Sequence, residues 1–284
     1  MIKLVASDLD GTLFDSNHFI SQKNLNAISD LNHSQLNFAI CTGKTYSMIK
    51  HTCNKLNASY GIFGNGNQIV DLKSGTEIYK KLLDDQDALF CIQFAKKEHL
   101  HIHLYTENEV ISESLQYLDL RNYKLHSSSS DSELSFKIVD SVEDYISQNQ
   151  PHIFKLVISK QGNLNSLKEV LSSNSNLNIQ LVRKYDKYKD FVINKEYEYL
   201  DIMPKGINKN HALTILENYL NITKDEVMAI GDNLNDIEMI QNSGIGIAVA
   251  NAYEEVKKVA DYTTSVSAHH GGFAEAVYKF IPFK

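Results

Sequence analysis

Three scarcities narrow the class of protein before any motif is considered. The 284-residue chain carries 28 Lys and Arg against 35 Asp and Glu, with no basic cluster, so the electrostatic footprint of a nucleic-acid-binding protein is missing. Its three cysteines are an odd number at irregular spacing, which fits neither a disulfide framework nor a zinc site. The N-terminal apolar run is too short for a signal peptide, and no stretch approaches the roughly 18 apolar residues of a membrane span. We therefore expect a cytoplasmic protein that binds neither nucleic acid nor membrane.

What the chain does contain is an ordinary globular composition. Hydrophobic residues make up 43% of it and charged residues 22%, which is enough apolar material to bury a sizeable core. At about 150 residues per domain, the length favours two domains over one. The acidic excess argues against polyanionic partners, although a small phosphorylated ligand needs only one local positive site.

Alternating strand and helix patterns occur at both ends of the chain. Short apolar runs with helical patterns between them predict buried strands at residues 2–7, 37–41, 60–63, 199–203, 227–230 and 245–249. This alternation is typical of a parallel α/β sheet. In the middle of the chain, helical patterns mixed with alternating strand patterns, one of them at residues 190–193, predict an α+β unit.

The order of these patterns predicts how the domains are arranged. We expect a doubly wound, Rossmann-like α/β core made from residues 1–82 and 196–284. An α+β domain, residues 83–195, interrupts this core. A nested arrangement explains the return of the α/β alternation better than two domains in tandem do.

Four short motifs follow predicted strands, at or just past the ends where open α/β sheets bind their ligands. They are Asp8-Leu-Asp-Gly-Thr12, Thr42-Gly43, Lys209 and Gly231-Asp-Asn-Leu-Asn-Asp236. Asp8 and Asp10, two residues apart at a strand end, point to the same side. Their like charges repel unless a proton or a cation intervenes, and Asp232 and Asp236 add further negative charge.

The chemistry of these residue types indicates phosphoryl transfer. A carboxylate cluster suits Mg²⁺, which prefers oxygen ligands and a substrate phosphate, while Thr42 and the Lys209 ammonium are donors for that phosphate. Asp8 would attack phosphorus, and Asp10 would protonate the leaving alkoxide and later deprotonate water. Asp-Gly is also ordinary turn chemistry. A calcium loop requires Gly and Glu where this chain has Leu13 and Phe19, so that alternative fails.

The sequence resembles the haloacid dehalogenase superfamily, and within it the Cof-type phosphatases with a large cap of the C2 (IIB) type inserted after the second motif. The resemblance covers about residues 1–82 and 198–284. It is carried by the motifs above together with Ile40-Cys-Thr-Gly-Lys44, Asn65-Gly66, Leu200 to Lys209, Ile230 to Met239, Asn251-Ala252 and Ala260-Asp261. In three places the chain departs from the usual pattern: Lys44 replaces Arg, Asn210 replaces Gly, and His269-His270 replaces an acidic pair.

The resemblance implies a role for each matching residue. Asp8 is the expected nucleophile and Asp10 the expected acid/base. The Mg²⁺ ligands are then Asp8, Asp232 and Asp10 through its carbonyl. The phosphate contacts are then Thr42, Gly43, Lys209, Asn235 and the backbone of Leu9, with Thr12 and Asp236 in support. The inserted domain is expected to close over the core and to select the substrate.

The sequence leaves several alternatives open. We expect hydrolysis of a sugar phosphate or of a phosphorylated cofactor such as FMN or pyridoxal phosphate. A phosphomutase or phosphotransferase, or a non-catalytic phosphate sensor, are the alternatives. Lys205 competes with Lys209 for the phosphate. His99, His101 and His103 are predicted to share one face of a strand, where they would meet a metal, a substrate or solvent. The oligomeric state is open between a monomer and a small homo-oligomer.

Overall fold

The computed structural model describes residues 1–16, 18–34, 36–114, 135–160, 164–185 and 196–283. These residues form two compact units. The first comprises Met1–Gly43, Thr52–Lys80 and Asn208–Lys284, and the second comprises Lys44–His51 and Lys81–Ile207. The predicted strand at residues 190–193 lies outside the described residues.

The strands and helices are numbered along the chain. The strands are β1 Leu4–Ser7, β2 Asn37–Cys41, β3 Tyr60–Phe63, β4 Gln68–Asp71, β5 Glu77–Lys80, β6 His101–Tyr105, β7 Glu109–Ser112, β8 Ser135–Ile138, β9 Lys155–Lys160, β10 Leu177–Tyr185, β11 Glu196–Pro204, β12 Val227–Gly231, β13 Ile245–Ala248 and β14 Tyr262–Thr263. The helices are α1 Gln22–His33, α2 Tyr46–Leu56, α3 Asp85–Lys97, α4 Val142–Asn149, α5 Asn165–Leu171, α6 Lys209–Leu220, α7 Ile237–Asn242, α8 Glu254–Lys257 and α9 Gly272–Phe280.

The first unit is built on a sheet with the order β14-β13-β12-β1-β2-β3-β4-β5 in the described residues. Every pairing from β14 to β3 is parallel, and β4 and β5 extend the sheet as an antiparallel hairpin. β1 and β12 are buried along their whole length, as expected for central strands covered on both faces. The predicted α/β fold class is confirmed.

The register of the central strands places three motifs at one edge of this sheet. Ser7 pairs with Ile230 on one side and with Ile40 on the other. β1 ends at Ser7, and β2 and β12 end one residue later, at Cys41 and Gly231, so the motifs that follow leave the sheet at nearly the same level. Because the chain runs from β1 to β2 on one side and returns through β12 on the other, this edge is a topological switch point, where α/β sheets bind ligands.

Lys209, on helix α6, is the only one of the four motifs in the described residues that does not follow a strand of this sheet. The N-cap of α6, Asn208, has extended backbone angles and accepts a hydrogen bond from the amide of His211 through its side chain, which satisfies one of the unpaired donors of the first turn. The helix packs against β3, β4, β5 and α7. Lys209 is consequently the first residue of a well-anchored helix.

The second unit holds a mixed sheet with the order β10-β11-β9-β6-β7-β8 in the described residues, antiparallel except for the pair β7 and β8. The strand predicted at residues 199–203 belongs to this sheet as part of β11, and its assignment to the α/β core was wrong. Leu200 and Ile202 are buried on one face of β11 while Tyr199 and Asp201 lie on the other, which is the alternation of an antiparallel strand rather than of a core strand. The second unit therefore extends to Ile207.

Candidate active site

The candidate site lies where β1 and β12 end in the first unit. Asp8 directly follows β1, and its amide donates a 2.9 Å hydrogen bond to the carbonyl of Ile230 on β12. Asp232 directly follows β12. The parallel pairing of the two strands thus brings together two carboxylates that are 224 residues apart in sequence.

Lys209 enters this carboxylate cluster from the start of α6. Its side chain is fully buried, and its Nζ lies 2.6 Å from Asp8 Oδ1 and 2.6 Å from Asp236 Oδ1. Lys205 is exposed, and its backbone amide donates to the carbonyl of Asn176. Of the two competing lysines, the structure therefore places Lys209 at the carboxylates.

Asp236 is held from both sides and acts as an anchor. Its Oδ1 accepts from Lys209, and its Oδ2 accepts from the amides of Asp232 and Asn233 at 3.0 and 2.9 Å. A Cβ at Gly231 would lie 2.6 Å from the Cβ of Asp236, so only glycine allows this close approach. The bidentate role of Asp236 sets the path of the chain through Asp232.

Three buried carboxylates meet at this point. One oxygen from each of Asp8, Asp232 and Asp236 lies within 4.8 Å of the others. The buried ammonium of Lys209 neutralises one of the three charges, which leaves two negative charges among these four side chains when all are ionised. Because both oxygens of Asp236 already accept hydrogen bonds, Asp8 and Asp232 are the carboxylates best able to hold a cation.

The pKa values of the cluster reflect its excess of negative over positive charge. Burial raises the pKa of Asp8 to about 7; Lys209 opposes this rise, and Asp236 and Asp10 add to it. Burial, followed by repulsion from Asp8 and Asp236, raises the pKa of Asp232 well above its ordinary value. Burial alone would lower the pKa of Lys209, but the carboxylates of Asp236 and Asp8 raise it. This donor set of hard oxygens with two excess charges fits Mg²⁺.

The loop that follows Asp8 packs directly on Asp232. Gly11 has φ +86°, and a Cβ there would lie 2.3 Å from Asp232 Oδ2. The Thr12 hydroxyl donates to Asp232 Oδ1 at 2.9 Å. Asp10 lies within electrostatic reach of Asp8, and its Oδ1 is 3.4 Å from His18 Nδ1. The carboxylate of Asp10 is not one of the three that meet within 4.8 Å.

The residues expected to contact phosphate lie at the ends of β2 and β3. Thr42 is buried; its amide donates to the carbonyl of Ile62, and its carbonyl accepts from the amide of Asn65. The Thr42 amide is therefore engaged in the sheet and does not serve as a phosphate donor here. A Cβ at Gly43 would lie 3.2 Å from the Asn65 side chain, and Asn235 Nδ2 donates to Asn65 Oδ1 at 2.9 Å.

Asn65 is a site residue that the motif search did not assign a role. It is fully buried and has φ +57°, a left-handed conformation that is uncommon outside glycine and asparagine. Its contacts join Thr42, Gly43 and Asn235 into one group. The Asn-Gly pair at residues 65 and 66 was the sequence signal for this turn.

The carbonyl of Leu9 closes the loop that follows Asp8, whereas the Leu9 side chain is buried in the core. The Leu9 carbonyl accepts from the amides of Leu13 and Phe14 at 3.0 and 2.7 Å, and the Gly11 amide donates to the carbonyl of Phe14. These bonds close the loop into one tight turn immediately after the nucleophile candidate. The loop is therefore internally stiff, and it is positioned as a unit.

The predicted histidine face lies in the second unit and includes two histidines rather than three. His101 and His103 lie on the same face of β6, with their ring centroids 5.9 Å apart. His99 precedes the strand, has φ +54° and is exposed, so its inclusion was wrong; the turn between α3 and β6 breaks the alternation. Burial, His101 and Lys155 lower the pKa of His103 well below its ordinary value. Beside it, Lys155 Nζ makes two 2.9 Å bonds to Asp201.

In the part of the chain that the structure describes, no helix combines the length and apolar character needed to cross a membrane.

The chain is similar to known proteins over nearly its whole length. Residues 5–277 match the haloacid dehalogenase-like hydrolases. The putative phosphatase YxeH of Bacillus subtilis is 28% identical over 293 residues, 99% of each chain. The 5-amino-6-(5-phospho-D-ribitylamino)uracil phosphatase YcsE of the same species is 28% identical over 271 residues, 95% of this chain and 92% of its own. A haloacid dehalogenase-like hydrolase structure from Bacteroides thetaiotaomicron has 26% identity and a TM-score of 0.78, covering 99% of this chain and 100% of its own.

Proposed function

The chain belongs to the haloacid dehalogenase-like hydrolase family, and we propose that it is a Mg²⁺-dependent phosphomonoesterase that works through an aspartyl-phosphate on Asp8. Its phosphatase-named relatives match over nearly the whole chain, and the protein is accordingly a phosphatase. The observation that carries the finer proposal is the buried cluster of three carboxylates and one ammonium.

In the first half-reaction, Asp8 is the nucleophile. A carboxylate oxygen of Asp8 forms a bond to phosphorus while the bond from phosphorus to the substrate oxygen breaks. Asp10 donates a proton to the leaving alkoxide, which departs as an alcohol. Lys209, at 2.6 Å from Asp8 Oδ1, orients the nucleophile and offsets the charge of the phosphoryl oxygens.

In the second half-reaction, water releases the phosphate. Asp10, now deprotonated, takes a proton from a water molecule whose oxygen attacks phosphorus, and the bond from phosphorus to Asp8 breaks. Asp8 and Asp10 return to their starting protonation states, and the products are an alcohol and inorganic phosphate. Thr42, Gly43 and Asn235 are proposed to contact the transferred phosphoryl group.

Asp8 and Asp232, with the carbonyl of Asp10, are the residues proposed to hold Mg²⁺. When bound, Mg²⁺ supplies positive charge that keeps the carboxylates ionised and compensates the phosphoryl oxygens. Thr12 donates to Asp232 Oδ1, and Asp236 Oδ2 accepts from the amide of Asp232. These two residues are thus proposed to orient the metal ligand.

We propose a small phosphorylated metabolite as substrate, either a sugar phosphate or a phosphorylated cofactor. The name of the YcsE relative, a phosphatase for a phosphorylated ribitylaminouracil, supports this class. Substrate selection is assigned in this proposal to the second unit, whose sheet carries a buried polar group consisting of His103, Lys155, Ser159 and Asp201.

A phosphate-release screen tests the proposal. The purified protein is incubated with sugar phosphates, FMN and pyridoxal phosphate, with Mg²⁺ or with a chelator. We expect Mg²⁺-dependent release that Asp8→Asn abolishes while the far-UV circular dichroism spectrum is retained. Phosphate release by Asp8→Asn at the wild-type rate contradicts the mechanism. Product isomers with little free phosphate would identify a mutase instead.

A further inference from the structure

The loop that carries the proposed nucleophile and acid/base, residues 8–15, is held from outside by α1 and by residues 251–269. Hydrogen bonds within the loop make it one stiff turn, and Gly11 packs against the Asp232 carboxylate. A stiff loop in such close contact with the metal-binding carboxylate must be placed accurately as a whole. The side chains that place it are therefore important for the reaction without contacting the substrate.

The first anchor is Asn251, in the segment between β13 and α8. Its Nδ2 donates a 2.8 Å hydrogen bond to the carbonyl of Gly11, and its Oδ1 accepts a 2.8 Å bond from the amide of Ala268. One side chain thus connects the loop at its contact with Asp232 to the turn before α9. Both polar atoms of the Asn251 side-chain amide are therefore hydrogen-bonded.

The second anchor is Asn24, which is fully buried in α1. Its Nδ2 lies 3.4 Å from the carbonyl of Leu13 and 3.3 Å from that of Ala268, and its Oδ1 accepts from the amide of Ala274 at 3.1 Å. The amide group again joins the loop to the same turn. Ala268, itself buried, is the shared centre of the first two anchors.

The third anchor is His269, the residue directly after Ala268. Its Nδ1 lies 2.5 Å from Asp15 Oδ2, and because a carboxylate accepts, the imidazole donates. The other oxygen of Asp15 accepts from the amide of Phe19. The Asp15 side chain is 5% exposed and that of His269 is 63% exposed. A histidine at the protein surface thus holds a buried carboxylate of the loop.

We propose that Asn24, Asn251 and His269, here called the loop clamp, are positioning residues for phosphoryl transfer. They fix the loop at Gly11, Leu13 and Asp15 and thereby the placement of Asp10 relative to Asp8 and Asp232. The inference rests on the proposed function, since it concerns the geometry of that reaction. Displacement of reacting groups by about 1 Å can lower a rate about a hundredfold.

The test measures kcat and KM for p-nitrophenyl phosphate hydrolysis with saturating Mg²⁺, alongside thermal unfolding. We expect Asn251→Ala to lower kcat at least about tenfold while KM changes less than about threefold. His269→Ala lowers kcat in the same way, and His269→Asn, whose amide nitrogen takes the place of Nδ1 as an N–H donor, recovers most of it. His33→Ala is the matched control because His33 is an exposed histidine that hydrogen-bonds within its own helix, to Ser29.

The kcat of a double variant distinguishes a positioning role from a general loss of stability. Since Asn251 and His269 hold the same loop, the double variant should lose less kcat than the product of the single losses. His269 is mostly exposed, so His269→Ala decides the question if Asn251→Ala does not fold.

Three results would overturn the loop clamp. They are a kcat within twofold of wild type for Asn251→Ala and His269→Ala, an equal loss in His33→Ala, or a change confined to KM. Failure of the clamp is distinguishable from failure of the proposed function. In the first case Asp8→Asn is inactive while the clamp variants are fully active, and in the second Asp8→Asn itself remains active.

Discussion

Stability without metal should fall as the pH rises through the range in which Asp8 titrates. The pKa of the Asp8 carboxyl is about 7 in the folded protein and 3.8 in the reference state. Between these values the folded protein retains a proton that the unfolded chain has released. Raising the pH therefore favours unfolding, and this effect ends above about pH 7.

The size of the effect follows from the two pKa values. Each pH unit between them removes about 1.4 kcal/mol of stability, so burial of Asp8 costs on the order of 4 kcal/mol at pH 8 relative to pH 3. Roughly 3 kcal/mol of this loss falls between pH 5 and pH 8. Asp232, whose pKa burial also raises, changes stability in the same direction.

Chemical denaturation at pH 5, 6, 7 and 8 measures this loss in the presence of a chelator. Asp8→Asn is the matched control, since asparagine retains the shape of the protonated carboxyl and an oxygen that accepts from Lys209. Titrations outside the carboxylate cluster are common to both proteins, so the difference between their pH curves reports Asp8 together with its coupling to Asp232. We expect the variant to lose about 3 kcal/mol less than wild type between pH 5 and pH 8.

Added Mg²⁺ should reverse the loss in wild type. At a free concentration one hundred times its dissociation constant, a bound ion adds about 2.7 kcal/mol of stability, and this gain should be largest at pH 8, where the carboxylates are ionised. Parallel pH curves for wild type and Asp8→Asn, or a Mg²⁺ gain that is equal at pH 5 and pH 8, would refute the reasoning.

Two further pairs of substitutions test the packing and charge of the site. Gly11→Ala should lower kcat about a hundredfold, since the new Cβ meets Asp232 Oδ2 at 2.3 Å; Gly75→Ala, at φ +74° with nothing within 4 Å, should lose about 1 kcal/mol of stability and no activity. Lys209→Met should abolish turnover and cost about 3–5 kcal/mol at pH 8, whereas the exposed Lys205→Met should keep kcat within about twofold of wild type. Kinetics and denaturation of each pair provide the comparison, and equal effects within either pair would contradict the assignment.

Local sequence patterns were sufficient to locate β1, β2, β3, β12 and β13 and to give the order of the motifs. The apolar runs of β2 and β3 predicted their bounds, Asn37–Cys41 and Tyr60–Phe63, because a fully buried parallel strand is recognisable from continuous hydrophobicity alone. The placement of Asp8 and Asp232 followed from the rule that ligands bind beyond the ends of such strands.

The same patterns failed where a strand could join either sheet. The run at residues 199–203 has strand character in any context, and only its antiparallel partners β9 and β10 place it in the second unit. Similarly, the alternation of His99 with the later histidines is broken by a left-handed turn at His99 itself. Strand pairing and turn conformation depend on contacts that are distant in sequence, and local periodicity does not contain them.

The residue types needed for phosphoryl transfer, and their positions after strands, could be identified from the order of amino acids alone. The tertiary structure decided how their charges are balanced. Lys209 reaches two carboxylates at 2.6 Å, Asp236 accepts from Lys209 and from two backbone amides, and Asn251 and His269 hold the loop that carries Asp10. The bonds of Lys209 to Asp8, of Asn251 to Gly11 and of His269 to Asp15 join residues more than 200 positions apart. The energies of all these contacts depend on burial and on distances of a few ångströms. Spacing along the chain gives neither the burial of a side chain nor its distance from a partner.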